Sequence, residues 1–188
     1  MAYDPVLSRD ICVATNDTNM VVKFNGKFCK DPEKVTADDF FITGLNVRKQ
    51  TSKQLGVRLT LSTVDQVPGL NTNALSIVRI DFAPSGSLNP PHIHPRAAEI
   101  LTVLEGTLYA GFITGNPDHR IFAKILKPGD VALAVLNSQN PGVVTIANTI
   151  FGATPSVNPD VLSRAFHLDK DLVTKLQKEE WVDPDQLY

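Results

Sequence analysis

The chain has 188 residues, 43% of them hydrophobic and 20% charged, and its 18 Lys+Arg against 20 Asp+Glu give a net charge of -2. This length fits one domain with a sizeable core, and the composition is far from that of a disordered chain. Without a basic excess, we expect no nucleic-acid partner. No apolar run reaches the roughly 18 residues of a membrane span, so we also expect no membrane protein.

The N-terminal region leaves two cellular locations open. Residues Met1 to Pro5 contain neither the basic segment nor the apolar core of a secretory signal, which fits a cytosolic protein or a mature form without its leader. As free thiols, Cys12 and Cys29 suit the cytosol; as a disulfide, they would close a loop and stabilise the fold by roughly 3 kcal/mol. An N-glycosylation acceptor at Asn16, followed by Asp17-Thr18, favours secretion.

Composition and hydrophobic periodicity divide the chain into three segments. Residues 1–73 are polar and irregular, with turn formers between short apolar pieces, and predict an N-terminal arm with short strands. From residue 74 the pattern alternates, with Val78, Ile80 and Phe82 on one face and Arg79 on the other, which predicts a β-domain over 74–152. Residues 153–188 change to a helical period and form a C-terminal tail.

Several strand-like runs follow one another in the predicted β-domain. Glu105-Gly106 separates 100–104 from 107–113, which predicts a β-hairpin made of these two runs. Further strands are predicted at Ile121 to Leu126, Val131 to Leu136 and Val143 to Ala147. Short strands with Gly and Pro turns between them favour an antiparallel sandwich or barrel over alternating strands and helices.

Two short helices are predicted in the tail. Asn158 can cap the first helix, with Pro159 at its first position, and Asp169 can cap the second. Each helix has an apolar stripe, formed by Val161, Leu162 and Ala165 in the first and by Leu172, Val173 and Leu176 in the second. Such stripes must pack on the β-domain or on a neighbouring subunit, and the second alternative predicts an oligomer.

A cluster of potential metal ligands lies near the middle of the chain. In an extended segment, residues two apart point to the same face, so His92 and His94 would present their imidazoles side by side. Glu99 follows at the predicted start of the next strand and could add a carboxylate. Two histidines and one carboxylate suit manganese, iron or zinc, whereas the alternative is a pair of solvated loop histidines.

The spacing around this cluster points to a known family. Gly86, His92, His94, Glu99 and Gly106 reproduce the first cupin motif. Further matches are Asp10 to Ala14, Asn25 to Lys30, Thr36 to Phe41, Asn89 to Ala97 and Leu136 to Gly142. On these motifs the chain resembles the plant germin-like proteins of the cupin superfamily, from about Asp4 to about Gln177.

The resemblance implies a mainly β fold, a cupin jelly-roll barrel with an N-terminal arm and short C-terminal helices. It implies a secreted glycoprotein of the apoplast and cell wall, related to plant defence, with a Cys12–Cys29 disulfide and a glycan at Asn16. His92, His94 and Glu99 match the family's manganese ligands. Germins assemble as hexamers held partly by their C-terminal helices, so the resemblance also implies a homo-oligomer.

One departure from the family changes the expected site. The second family motif runs Gly, five residues, Pro, x, Gly, two residues, His, three residues, Asn, and its His is the fourth manganese ligand. Here Gly129 opens the motif, but the other four residues do not follow. About two strands are missing as one block, through a skipped exon, an error in gene prediction or decay of a gene copy. We therefore expect an incomplete, destabilised barrel with three protein ligands, and we expect His119 and His167 on the surface.

The resemblance also bears on activity. Oxalate oxidation in the family uses two asparagines near the metal; Asn89 matches one, as a substrate-binding residue, but Val78 stands at the position of the other. Oxalate oxidase activity is therefore disfavoured, and superoxide dismutation is the activity that remains. The alternatives are a non-catalytic extracellular structural or interaction protein and the product of a degenerate gene copy without a working metal site.

Overall fold

The computed structural model describes residues 11–84, 86–127 and 131–183. Met1 to Pro5 and Gly129, which carry two of the expectations above, lie outside these ranges. The strands are β1 (Ala14–Thr15), β2 (Lys23–Phe24), β3 (Lys27–Cys29), β4 (Val57–Ser62), β5 (Ser76–Phe82), β6 (His92–Ile93), β7 (Glu99–Glu105), β8 (Leu108–Ile113), β9 (Ile121–Leu126), β10 (Val131–Leu136) and β11 (Val144–Thr145). The helices are α1 (Ile146–Phe151), α2 (Pro159–Phe166) and α3 (Lys170–Leu176).

The largest sheet is antiparallel, with the strand order β4-β5-β10-β7. Its inner face forms the core, because alternate residues of each strand point to the same side. Leu59 lies opposite Ile80, and Val78 opposite Ala134. The buried core residues are Val57, Leu59, Val78, Ile80, Phe82, Ala132, Ala134 and Leu136. The alternation seen in the sequence of β5 is thus the alternation of this face, and the predicted mainly β architecture is confirmed.

A buried ion pair holds part of the N-terminal region against this sheet. Arg79 Nη2 lies 2.6 Å from Asp81 Oδ1, and Asp81 is 0% exposed. Arg79 Nη1 donates a hydrogen bond to the Leu45 carbonyl, and the Lys49 backbone N–H donates to Asp81 Oδ2. The ion pair therefore also fixes the segment 45–49.

The disulfide between Cys12 and Cys29 is present, and it ties the start of the described chain to β3. Strands β1, β3 and β2 form a separate small sheet beside it. Both cysteines are buried, and Asn71 Nδ2 donates a hydrogen bond of 3.1 Å to Cys12 Sγ. Of the two alternatives that the sequence left open, free thiols and a disulfide, the structure has the disulfide.

The predicted hairpin around Glu105-Gly106 is wrong. β7 pairs with β10, whereas β8 pairs with β9, so consecutive strands lie in different sheets. Gly106 has a φ of 72°, which a tight hairpin would also accept, so the local turn does not decide the pairing. The difference arises because β10, a distant strand in the sequence, pairs with β7, and β9 pairs with β8.

The β8–β9 hairpin has little cover from the rest of the described chain. Cross-strand pairing places Tyr109 opposite Ile125 and Ile113 opposite Ile121, all on one face. These four side chains are 58–69% exposed. On the other face Phe112 and Phe122 stack with ring centroids 5.2 Å apart. Within the described residues this hairpin therefore presents an open apolar surface.

The predicted strand from Val143 to Ala147 is only half correct. β11 ends at Thr145, and α1 begins at Ile146, whose backbone N–H donates to the Pro91 carbonyl. The apolar run is compatible with either conformation, and the change of direction beside Pro91 ends the strand.

The two predicted tail helices are confirmed together with their caps. The Asn158 side chain accepts a hydrogen bond from the Asp160 N–H, and the Asp169 side chain accepts from the Asp171 N–H. One residue of each apolar stripe is buried, namely Leu162 and Val173, but Val161 and Leu172 are 55% and 43% exposed. Every helix in the described part of the chain is too short or too polar to cross a membrane.

Candidate metal centre

Two imidazoles lie side by side at the short strand β6. β6 contains His92, and His94 follows it in extended backbone, so both side chains point to the same face. Their ring centroids are 5.0 Å apart and their planes are nearly perpendicular. β6 is held by β11, with His92 opposite Thr145. Local strand geometry thus brings the two rings together.

Backbone carbonyls fix the orientation of both rings. His92 Nδ1 lies 2.7 Å from the Pro90 carbonyl oxygen, and His94 Nδ1 lies 2.6 Å from that of Gly142. A carbonyl only accepts hydrogen bonds, so each Nδ1 carries the hydrogen and donates it. In the neutral rings both Nε2 atoms therefore keep a free lone pair, which is the form that binds a metal.

Glu99 completes the group from the first position of β7. One potential ligand atom of each of His92, His94 and Glu99 lies within 4.8 Å of the other two. Glu99 Oε2 is 3.2 Å from His94 Nε2. Burial by itself lowers the pKa of His94. The hydrogen bonds to Glu99 and to the Gly142 carbonyl, together with the negative charge of Glu99, raise this pKa by more than burial lowers it, so the net pKa is raised.

The donor set fits a divalent transition metal. Two imidazole nitrogens and one carboxylate oxygen suit manganese, iron or zinc, and three protein ligands leave positions for water or substrate. The other two histidines do not join the group. His119 lies in the turn between β8 and β9, His167 follows α2, and both are exposed. Within the described residues three side chains are grouped as potential ligands.

A cavity of about 220 Å³ adjoins the three potential ligands. Its wall is mainly apolar, with Leu59, Leu61, Val78, Ile80, Ala134 and Leu136 from the inner face of the large sheet. Asn89, Asn140 and Thr145 contribute polar groups near the histidines. The structure thus places Asn89 at the cavity, and Val78 contributes an apolar surface there.

Asn16 lies far from this site in the sequence, in the segment that links β1 to β2. Asn16, Asp17 and Thr18 are all exposed, so a glycosylating enzyme has access to the acceptor amide.

Sequence reasoning missed the groups that orient the ligands, namely the Gly142 carbonyl and the residues around it. These groups lie in Asn89 to Ala97 and Leu136 to Gly142, two segments that match the family. The sequence of neither segment indicates that the two segments are in contact.

Comparison with known proteins agrees with the predicted family and fold. The family model described as Cupin matches residues 43–133 and 130–174. The two matched segments overlap at 130–133, so the match is interrupted where the second motif is expected. The first segment ends at Leu133, within β10, so the two matched segments meet in the first half of this strand.

The relatives in sequence are germin-like proteins. Germin-like protein subfamily 1 member 16 of Arabidopsis thaliana is 51% identical over 197 residues, covering 94% of this chain and 88% of the relative. Germin-like protein subfamily 1 member 20 of the same plant is also 51% identical over 197 residues. This alignment is longer than the 188 residues of the chain, so the relative contains residues without a counterpart here.

The similar solved structures include a recombinant oxalate oxidase in complex with glycolate. It superposes with a TM-score of 0.84 at 32% identity, covering 93% of this chain and 96% of that chain. The β-strands and tail helices described above therefore follow the arrangement of that protein over nearly its whole length.

Proposed function

The chain belongs to the germin-like proteins of the cupin family, and from this we propose that it is a secreted manganese-binding protein of the plant apoplast that carries out redox chemistry on a small oxygen species. The observation that carries this proposal is the convergence of His92, His94 and Glu99 beside a cavity, with both Nδ1 atoms donating to backbone carbonyls. A role in plant defence is part of the proposal.

Each residue of the site has a defined task in this function. His92 and His94 would hold the ion through Nε2, and Glu99 would add a negative charge that offsets part of the charge of the ion. Bound manganese would supply one-electron redox chemistry, which is the chemistry that superoxide dismutation requires. The apolar wall around Val78 limits the entry of water from the core side. Asn89 is proposed to hydrogen-bond the substrate.

Oxalate oxidation is not part of the proposal. Val78 stands where the resemblance places the second asparagine, and it offers no hydrogen bond to a carboxylate. The charged residues at the cavity are Asp65 and Glu99, both acidic, besides the two histidines. A dianionic substrate would therefore depend on the metal for the compensation of its charge.

Secretion is supported by two features of the N-terminal region. The disulfide of Cys12 and Cys29 is buried, and disulfides persist in oxidising compartments. Asn16 is exposed in an N-glycosylation acceptor. We propose a glycan at Asn16 and a location in the extracellular space and cell wall.

We also propose a homo-oligomer, without nucleic-acid or membrane partners. The exposed members of the apolar stripes, Val161 and Leu172, leave part of the tail helices free to pack on another subunit. Contact with the cell-wall matrix is compatible with such an assembly. We propose, in addition, that 1–73, 74–152 and 153–188 act as arm, barrel and tail.

A second candidate is a non-catalytic extracellular structural or interaction protein, or the product of a degenerate gene copy. It is favoured by the absence of a fourth histidine at the site among the described residues and by the exposed face of the β8–β9 hairpin. Such a protein would keep the fold and the tail helices without turning over a substrate.

The experiment that separates these candidates uses the glycoprotein purified from the apoplast of a plant host. We expect manganese-dependent superoxide dismutation that is lost in His92→Ala, and no peroxide formation from oxalate. His119→Ala is the matched control, because His119 is exposed and outside the site. A folded, metal-free oligomer without activity would favour the structural role, and failure to accumulate would favour the degenerate copy.

A further inference from the structure

We propose that Arg96 is a positioning residue of the metal centre. Its guanidinium holds the segment Asn140 to Gly142 in place, and the Gly142 carbonyl in turn fixes the His94 imidazole. This inference rests on the proposed function, because it concerns how one of the three proposed ligands is oriented.

Arg96 makes three hydrogen bonds to this segment. Its Nε donates to the Asn140 carbonyl at 2.7 Å, and its Nη2 donates to Asn140 Oδ1 at 2.9 Å. Its backbone N–H donates to the Pro141 carbonyl at 3.2 Å. A planar guanidinium that reaches both a backbone and a side-chain acceptor of one residue fixes direction as well as distance, which lysine cannot do.

The guanidinium also packs directly on Gly142. A Cβ at this position would lie 2.6 Å from Arg96 Nη2 and 3.0 Å from Cζ, so the guanidinium would have to move away from Gly142 to admit a side chain. Gly142 has a φ of 65°, which glycine adopts without strain. The glycine therefore serves two needs at once, a left-handed turn and close contact with Arg96.

The two histidines differ in what holds them. The carbonyl that accepts from His92 belongs to Pro90, two residues away on the same segment, whereas the carbonyl that accepts from His94 comes from Gly142, 48 residues away. Only the ring of His94 is oriented by a hydrogen bond to a distant segment. Loss of the Arg96 bonds should therefore disturb His94 and leave His92 unchanged, which provides an internal control.

The first test observes the metal-free protein by nitrogen-15 NMR of the imidazole rings at about pH 8.5, where histidine is mostly neutral. In the unsubstituted chain we expect both rings to carry hydrogen on Nδ1. In Arg96→Met and Arg96→Lys we expect His94 to become a mixture of tautomers, while His92 stays unchanged. Arg164→Met, an exposed arginine in α2, is the matched control and should change neither ring.

The second test measures metal binding by titration with Co²⁺, whose absorption spectrum reports the ligand geometry. We expect Arg96→Met to weaken binding by about 10-fold or more and to change the spectrum, as the loss of groups that orient metal ligands commonly does. We expect the thermal midpoint of the metal-free variant to stay close to that of Arg164→Met.

The results separate this inference from the proposed function. Unchanged His94 signals in folded Arg96→Met would overturn the role of Arg96, even if the unsubstituted chain binds metal. If the unsubstituted chain binds no metal, the proposed function fails, and the NMR result still decides whether Arg96 orients His94. If Arg96→Met does not fold, Asn140→Ala removes one acceptor of the contact and should shift the His94 tautomer in the same direction; no shift there would equally overturn it.

Discussion

His94 Nδ1 and the carbonyl oxygen of Gly142 lie 2.6 Å apart, although the two residues are separated by 48 positions in the sequence. This hydrogen bond joins the segment that carries the proposed metal ligands to the turn between β10 and β11. It also determines which nitrogen of His94 faces Glu99. The orientation of the site therefore depends on tertiary structure, even though its ligands are close in sequence.

We expect Glu99→Gln to destabilise the metal-free protein more at acidic than at alkaline pH. The pKa of His94 is raised above its ordinary value of 6.5: burial opposes this, but Glu99 and the Gly142 carbonyl outweigh it. A raised pKa contributes stability that is fully present below the unfolded pKa and is lost as the pH rises through the folded one. Urea unfolding with a chelator at about pH 5.5 and about pH 8.5 measures the difference.

Glu179→Gln, an exposed position in the tail, is the control for this pH dependence. It should have a small effect that is the same at both pH values. An equal loss of stability at the two pH values in Glu99→Gln would show that the charge of His94 is not involved.

Replacing both cysteines, in Cys12→Ser with Cys29→Ser, should lower the free energy of unfolding by about 3 kcal/mol, as expected for a loop of this size. Denaturant titration of the variant and of the unsubstituted chain gives this value. Reductant should bring the unsubstituted chain to the stability of the variant and leave the variant unchanged. Equal stability under oxidising conditions would contradict the prediction.

Asp81→Ala should be strongly destabilising, by about 3–5 kcal/mol, because it leaves the buried charge of Arg79 without its partner. It also removes the acceptor for the Lys49 N–H. Thermal unfolding compares it with Asp118→Ala, an exposed aspartate in the β8–β9 turn. Replacing both members of the pair by apolar residues should recover part of the loss; similar effects of the two alanine variants would refute the account.

Replacing Ile113 by Lys should weaken self-association by about 10-fold. Ile113 is 67% exposed on the apolar face of the β8–β9 hairpin, and an open apolar face with free strand edges promotes association. Sedimentation velocity over a concentration series measures the effect. Asn116→Lys adds the same charge at the tip of the hairpin and should leave association unchanged. An unsubstituted chain that stays monomeric over the concentration series would contradict this prediction.

The parts of the structure that depend on local pattern could be predicted from the sequence. The alternation of Val78, Ile80 and Phe82 indicated β5, and the caps at Asn158 and Asp169 indicated the helices, because neighbouring residues determine these features. The grouping of the three proposed ligands followed from their spacing for the same reason.

Features that depend on contacts between distant segments could not be predicted. The Glu105-Gly106 pair indicated a turn, but nothing local shows that β7 pairs with β10 and β8 with β9. The contact of Arg96 with Asn140 spans 44 positions and has no periodic signature. The sequence therefore indicated which residues could bind a metal, but not what holds them in place.

Elemental analysis of the purified, size-fractionated protein, with His92→Ala and His119→Ala beside it, measures whether His92, His94 and Glu99 hold manganese. We expect about one manganese per chain in the unsubstituted protein and in His119→Ala, and almost none in His92→Ala, because a single imidazole and a carboxylate do not retain the ion. A folded protein without metal, or the same metal content in all three, would contradict this expectation.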